Sequence, residues 1–265
     1  MLQRALGIVL VLLAAGGFLS AQTYENSPDA VKVIPEAIWA GATGGGTWQT
    51  EIQVMSRSSG TQVHGTFYHS GGVRAVNFSV TLDQWDTFKH SNILQFMGNI
   101  DTGFDYYNKV GALVIYAQDN SHNLQVNSRT WHSSGYGKSF NGMTIVNGQT
   151  INRSLTWGSI LNLSQDSATR SSMACFNIGS SDIEVTFYIM NSSGYALRSF
   201  TKTFAANEFQ AFNPYAEAGL SAETYSNNFV YLSWQSGSGN LFVIGASAKN
   251  ATNDPSAHTF LPWIE

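Results

Sequence analysis

The sequence has little of what would staple, charge or interrupt a fold. Its 265 residues include one cysteine and five prolines, and Asp, Glu, Lys and Arg together make up only 11%. With a single thiol, Cys175, the chain closes no internal disulfide, so stability has to come from apolar burial. Cys175 stands in Met173-Ala174-Cys175-Phe176, which reads as core strand, and no redox or nucleophile motif surrounds it. Basic residues form no run: 13 Lys and Arg face 17 Asp and Glu, a formal net charge of −4. Nucleic-acid binding draws on a cationic footprint that releases counterions, and that class is excluded. The polar surface must come from Ser, Thr, Asn, Gln and Gly, a neutral exterior that suits an extracellular β-protein and the binding of sugars.

Only one long apolar run is present, residues 5–19 (ALGIVLVLLAAGGFL), behind Arg4 and ahead of Ser20-Ala21-Gln22. A basic start, an apolar stretch and small residues at the exit are the order of a secretory signal peptide. The expectation is a signal-peptide helix over residues 1–21, cleaved after Ala21. The alternative is a retained anchor, but a span needs about 20 apolar residues and this run is shorter and holds a Gly pair. Export leads to a secreted, cell-surface or periplasmic protein with no stable membrane span after cleavage.

Strand signals dominate the rest of the chain. In TWQTEIQVMS, residues 47–56, Trp48, Thr50, Ile52 and Val54 alternate with Gln49, Glu51 and Gln53, the period of a strand with one buried face. Residues 110–117 (VGALVIYA) form a continuous apolar run, as a central strand does. Gly- and Ser-rich turns separate such stretches. Helix signals are confined to two short pieces, residues 92–97 and 214–220. This spacing indicates an all-β sandwich.

The stretches also repeat. TEIQVMSRSSGTQVHGTFY (50–68) is echoed by SSMACFNIGSSDIEVTFY (171–188), and Trp85-Asp86-Thr87-Phe88 by Asn207-Glu208-Phe209-Gln210. The strands over 112–117 and 229–234, and over 124–130 and 241–247, correspond, as do Phe140 and Phe260. Tyr68 and Tyr188 lie 120 residues apart, Leu124 and Leu241 lie 117 apart, and Phe140 and Phe260 lie 120 apart. A near-constant offset predicts duplication: two tandem β-sandwich domains of one fold, residues 30–145 and 146–265. The connection near residues 141–150 is expected to pair as an edge strand.

At Thr47-Trp48-Gln49-Thr50-Glu51-Ile52 and Ser128-Arg129-Thr130-Trp131 the chain resembles a family of secreted bacterial tandem-repeat β-sandwich proteins of unknown function. These carry TFWRTDLxLxN and SRTYNxxxxGTFGQ stretches. The second copy departs from that pattern, lacking the Trp near Thr169 and the Arg near Ala246. A single unit is also similar to the sensory-rhodopsin-transducer-like fold. The resemblance implies fold and export, and the looser likeness implies sugar or small-ligand binding. It brings no catalytic residue.

Motifs for chemistry are sparse. There is no G-x-S-x-G elbow and no G-x-G-x-x-G. Gly137-Lys138-Ser139 has the tail of a phosphate loop, but residue 132 is His where Gly is required. His64 and His69 fall on opposite faces of one strand, and the Asp-rich loops at 101–105 and 119–123 lack the alternation of a calcium loop. Catalytic residues, metal ligands and cofactors are therefore expected to be none. Aromatics are 13% of the chain, and an amphipathic ring at a surface is what stacks on a sugar. The candidate ligand-binding residues are Trp131, His132 and Tyr136 on one loop, and Trp48 after the Gly44-Gly45-Gly46 run. The expected role is a non-enzymatic binding module for a glycan or a partner protein. Self-association into a surface layer, fibre or matrix is the first alternative, and an extracellular hydrolase the second.

Overall fold

A computed structural model describes residues 31–42, 45–70, 76–118, 124–135, 137–141, 143–144, 150–220, 224–251 and 255–262. The expected signal-peptide helix and Tyr136 lie outside the described residues.

The fold is all-β, and among the described residues every strand pairing is antiparallel. The first half holds β1 (Val31–Gly41), β2 (Thr47–Ser56), β3 (Thr61–His69), β4 (Val76–Leu82), β5 (Thr87–His90), α1 (Ile93–Ile100), β6 (Lys109–Ala117), β7 (Leu124–His132), β8 (Gly137–Asn141) and β9 (Met143–Thr144). The second holds β10 (Thr150–Ile151), β11 (Trp157–Gln165), β12 (Thr169–Asn177), β13 (Ile183–Met190), β14 (Ala196–Phe204), β15 (Phe209–Phe212), α2 (Pro214–Glu217), β16 (Tyr225–Gly237), β17 (Leu241–Lys249), β18 (Pro255–Thr259) and β19 (Leu261–Pro262).

The alternation in the sequence is what the strands bury. In β2, Thr50, Ile52 and Val54 are buried while Gln53 is exposed; in β7, Leu124, Val126, Ser128 and Thr130 are buried and the residues between them exposed. The expected short helices form where an Asn caps each. Asn92 accepts from the Gln95 amide, and Asn213 accepts from those of Tyr215 and Ala216.

Strand order recurs between the halves. The run β4-β3-β6-β1 has its counterpart in β14-β13-β16-β11, with β9 and β19 as short additions to β1 and β11. Likewise β5, β2, β7 and β8 pair in sequence, as do β15, β12, β17 and β18. In the first half the two runs join into one sheet, because β1 bulges between Ile34 and Ala37 and its end pairs with β2. Register corrects two of the correspondences drawn from sequence. Leu113 matches Leu232, so the central strands are offset by two residues from the expected match, and Phe140 matches His258 rather than Phe260.

Among the described residues, three apolar clusters lie between four β layers. One is enclosed by the two runs of the first half and includes Ile34, Ile52, Val54, Phe67, Leu113 and Ile115. A second, with Met173, Cys175, Val185, Phe187, Val230 and Leu232, fills the second half. The third joins them: Val31, Val33, Tyr68, Ala112 and Val114 on the far side of β1, β3 and β6 meet Ala174, Phe176, Phe242 and Ile244 on β12 and β17. The Tyr68 and Phe176 rings lie 5.0 Å apart there.

Candidate functional site

A cavity of about 170 Å³ opens between the two halves. Trp48, Ile38, Glu36 and Thr130 line it from the first half, and Arg170 and Ser247 are among its lining from the second. Strand register assembles it. Trp48 and Thr130 stand on the inward side of β2 and β7, at the end where β1 crosses over, and Arg170 pairs with Ala248 across β12 and β17.

Hydroxyl pairs, one buried and one partly buried, fix the two walls. Thr50 Oγ1 lies 2.9 Å from Thr130 Oγ1 and accepts from the Ile38 amide at 2.9 Å. At the corresponding place in the second half, Ser171 Oγ lies 3.2 Å from Ser247 Oγ and donates to the Ser164 carbonyl at 2.6 Å. Arg170 Nη1 donates to Asn250 Oδ1 at 3.0 Å, which anchors one end of the guanidinium. The cavity thus offers an indole, a guanidinium, a carboxylate and hydroxyls on a rigid frame. Ligand pockets for drug-sized molecules run from about 300 to 1,000 Å³, so this one has room for a single ring or the end of a chain.

The expected aromatic loop separates into parts with different tasks. Trp48 and His132 are cross-strand partners on one face, their rings 5.1 Å apart. His132 is buried and holds the turn before β2: its Nε2 lies 3.0 Å from the Gly45 carbonyl, and its Nδ1 accepts from the Ser134 amide at 3.2 Å. This explains part of the glycine run. Gly46 has φ +82°, and a Cβ there would sit 2.5 Å from the His132 ring. Trp131 projects from the opposite face of β7, beside Gln49, with its Nε1 buried and no acceptor for it among the described residues. Of the expected residues that are described, Trp48 alone lines the cavity. Glu36, Arg170 and Ser247 carried no signal in the sequence, because nothing local distinguishes them and only pairing register brings them to Trp48.

Titratable groups elsewhere are placed for packing. Cys175 is wholly buried, and desolvation pushes its thiol well above the ordinary cysteine value, so it stays protonated and a poor nucleophile. Burial likewise pushes Tyr215 up, and its hydroxyl donates to the Leu163 carbonyl at 3.0 Å. His64 and His69 do lie on opposite faces of β3: His64 stacks on Tyr116 at 5.3 Å, while His69 packs near Phe67. Among the described residues no group of three or more His, Cys, Asp or Glu could hold a metal ion, and no helix is long and apolar enough to cross a membrane. In comparison with known proteins, no family model matches the chain and no curated sequence matches it.

Proposed function

We propose that this is an exported, non-enzymatic protein of two tandem β-sandwich domains, residues 30–145 and 146–265, that binds a glycan through one sugar ring in the cavity between them. The recurrence of strand order supports the duplication, and the apolar run at residues 5–19 supports export. The observation that carries the binding role is the cavity itself. An indole supplies the flat apolar surface on which a pyranose stacks. Arg170, Glu36 and the neighbouring hydroxyls supply donors and acceptors around the rim of the ring, and the volume admits one ring.

A glycan array probed with the full chain tests this, followed by titration calorimetry on any hit. The expected result is binding by the wild type that weakens at least about tenfold in Arg170→Ala and in Trp48→Ala, the loss typical of a central contact. No binding to any glycan, or binding unchanged in both variants, would refute the reading.

A further inference from the structure

We propose that the outward face of β11, β13 and β16 docks a second copy of this chain, the same face meeting the same face about a two-fold axis. The inference is independent of what the cavity binds.

Among the described residues nothing covers the two outer faces of the four-layer stack, and their chemistry differs. The outward side of β2, β5 and β7 is mostly polar, with Gln49, Glu51, Gln53, Lys89, Asn127 and Arg129 beside Met55 and Trp131, and Glu51 and Lys89 pair at 3.2 Å. Water satisfies such a face, and it ends the stack as a polar terminal layer does. The opposite end is built from other residue types. Outward on β13 and β16 stand the cross-strand pairs Tyr188–Tyr231 and Met190–Phe229, with Thr186 and Ser233 paired beside them. Trp157 on β11 is cross-strand to Ser233 and 42% exposed. The Tyr231 ring lies 5.8 Å from Tyr188 and 6.5 Å from Trp157. A continuous patch of Trp, Tyr, Phe and Met has the composition of an interface centre.

The first half indicates what covers such a face. By register, Tyr188 stands where Tyr68 stands in β3, and Tyr231 where Ala112 stands in β6. There the same face is an interface already: Tyr68, Ala112, Val114 and Val33 are buried under β12 and β17 of the second half. The natural cover for this face is therefore another sandwich. Both halves of the stack are already engaged with each other, so the cover comes from a second copy.

Charge and symmetry select the arrangement. The aromatic patch itself is uncharged; the charge on this face of β13 is Glu184, beyond the Thr186–Ser233 pair and cross-strand to Ser236, so the aromatic centres of two copies meet without like-charge repulsion. Head-to-tail docking would set the aromatic patch against the Glu51, Lys89 and Arg129 face and desolvate those charges. Like-on-like contact avoids that cost and closes as a dimer. Strands about 4.8 Å apart with a rise of about 3.3 Å per residue make the patch only about 20 Å on a side. About 400 Å² from each copy, about 800 Å² in all, is below the size of a stable specific complex, so the contact is a weak one with a dissociation constant no tighter than about micromolar.

Sedimentation equilibrium of the full chain, from about 1 to about 100 µM, tests the proposal. The wild type is expected to pass from monomer to dimer across that range. Tyr188→Lys and Tyr231→Lys are expected to raise the dissociation constant at least about tenfold, with Gln53→Lys on the polar face leaving it unchanged. Trp157→Ala, at a more exposed position, serves if either lysine variant melts early. A wild type that stays monomeric, species larger than a dimer, or association that survives the Tyr188 and Tyr231 substitutions would each overturn it.

Discussion

Asn177, fully buried at the end of β12, shows how one side chain closes a loop cluster. Its Nδ2 donates to the carbonyls of Ser181, Phe204 and Ala205, and its Oδ1 accepts from the amides of Gly179 and Asn240. At the corresponding place in the first half, Ser56 serves a smaller set, accepting from the Ser58 amide and bonding Thr61 Oγ1 at 2.7 Å. Removing the amide leaves several buried backbone groups without partners, each costing about 1–3 kcal/mol. Asn177→Ala is therefore expected to lower stability by at least about 3 kcal/mol in urea unfolding, and Ser56→Ala by clearly less. His64 is governed by solvation in the same way. Desolvation holds its pKa below the ordinary histidine value, only partly opposed by a hydrogen bond with Gln118. The unfolded chain thus binds this proton more readily than the folded one. Its contribution is fully present above the ordinary pKa of about 6.5. It is lost as pH falls through that value toward the lower folded one. Melting temperatures measured between pH 7.5 and 5 should decline, and His64→Gln should flatten the part of that decline due to this residue.

At the scale of elements, the turn before β5 shows what the two halves share and where they part. Residues 83–86 and 205–208 each close a turn, through Asp86 N to Asp83 O and Glu208 N to Ala205 O, and each presents a carbonyl to the end of the neighbouring strand. The third residue is left-handed in both, Asn207 at φ +59° and Trp85 at φ +66°. Asn tolerates that conformation, whereas a large side chain is strained by it. Trp85 is also 59% exposed, so packing returns little. Trp85→Asn is expected to raise stability by about 0.5–1 kcal/mol, read as a higher urea midpoint with an unchanged slope. The strands were legible in the sequence, because a side-chain period of two is a property of one strand. Pairing register is a property of two. The bulge between Ile34 and Ala37 and the shifts in β11 change which residues face each other, and no one-dimensional pattern carries them.

For the whole molecule, the decisive feature is the middle apolar cluster, which belongs to neither half alone. It also explains why the cavity was illegible in the sequence: Trp48 and Arg170 meet only because β1, β3 and β6 lie against β12 and β17. Reading each strand for one buried face finds the inner cores but assigns the outer side to solvent. Yet Ala174, Phe176, Phe242 and Ile244 alternate with core residues on strands that are apolar on both sides. If this cluster couples the halves, a large side chain buried in it controls cooperativity as well as stability. Phe176 and Phe187 are both fully buried, the first between the halves and the second inside one of them. Truncating either to Ala should cost about 3–5 kcal/mol, so a difference between the two variants cannot come from the size of the loss. Scanning calorimetry of the wild type is expected to give one endotherm. Phe187→Ala should keep it single at lower temperature, because the contact between halves is intact. Phe176→Ala should split or broaden it, as each half begins to melt on its own core. A single, equally sharp endotherm in Phe176→Ala would mean that the halves are coupled through some other contact.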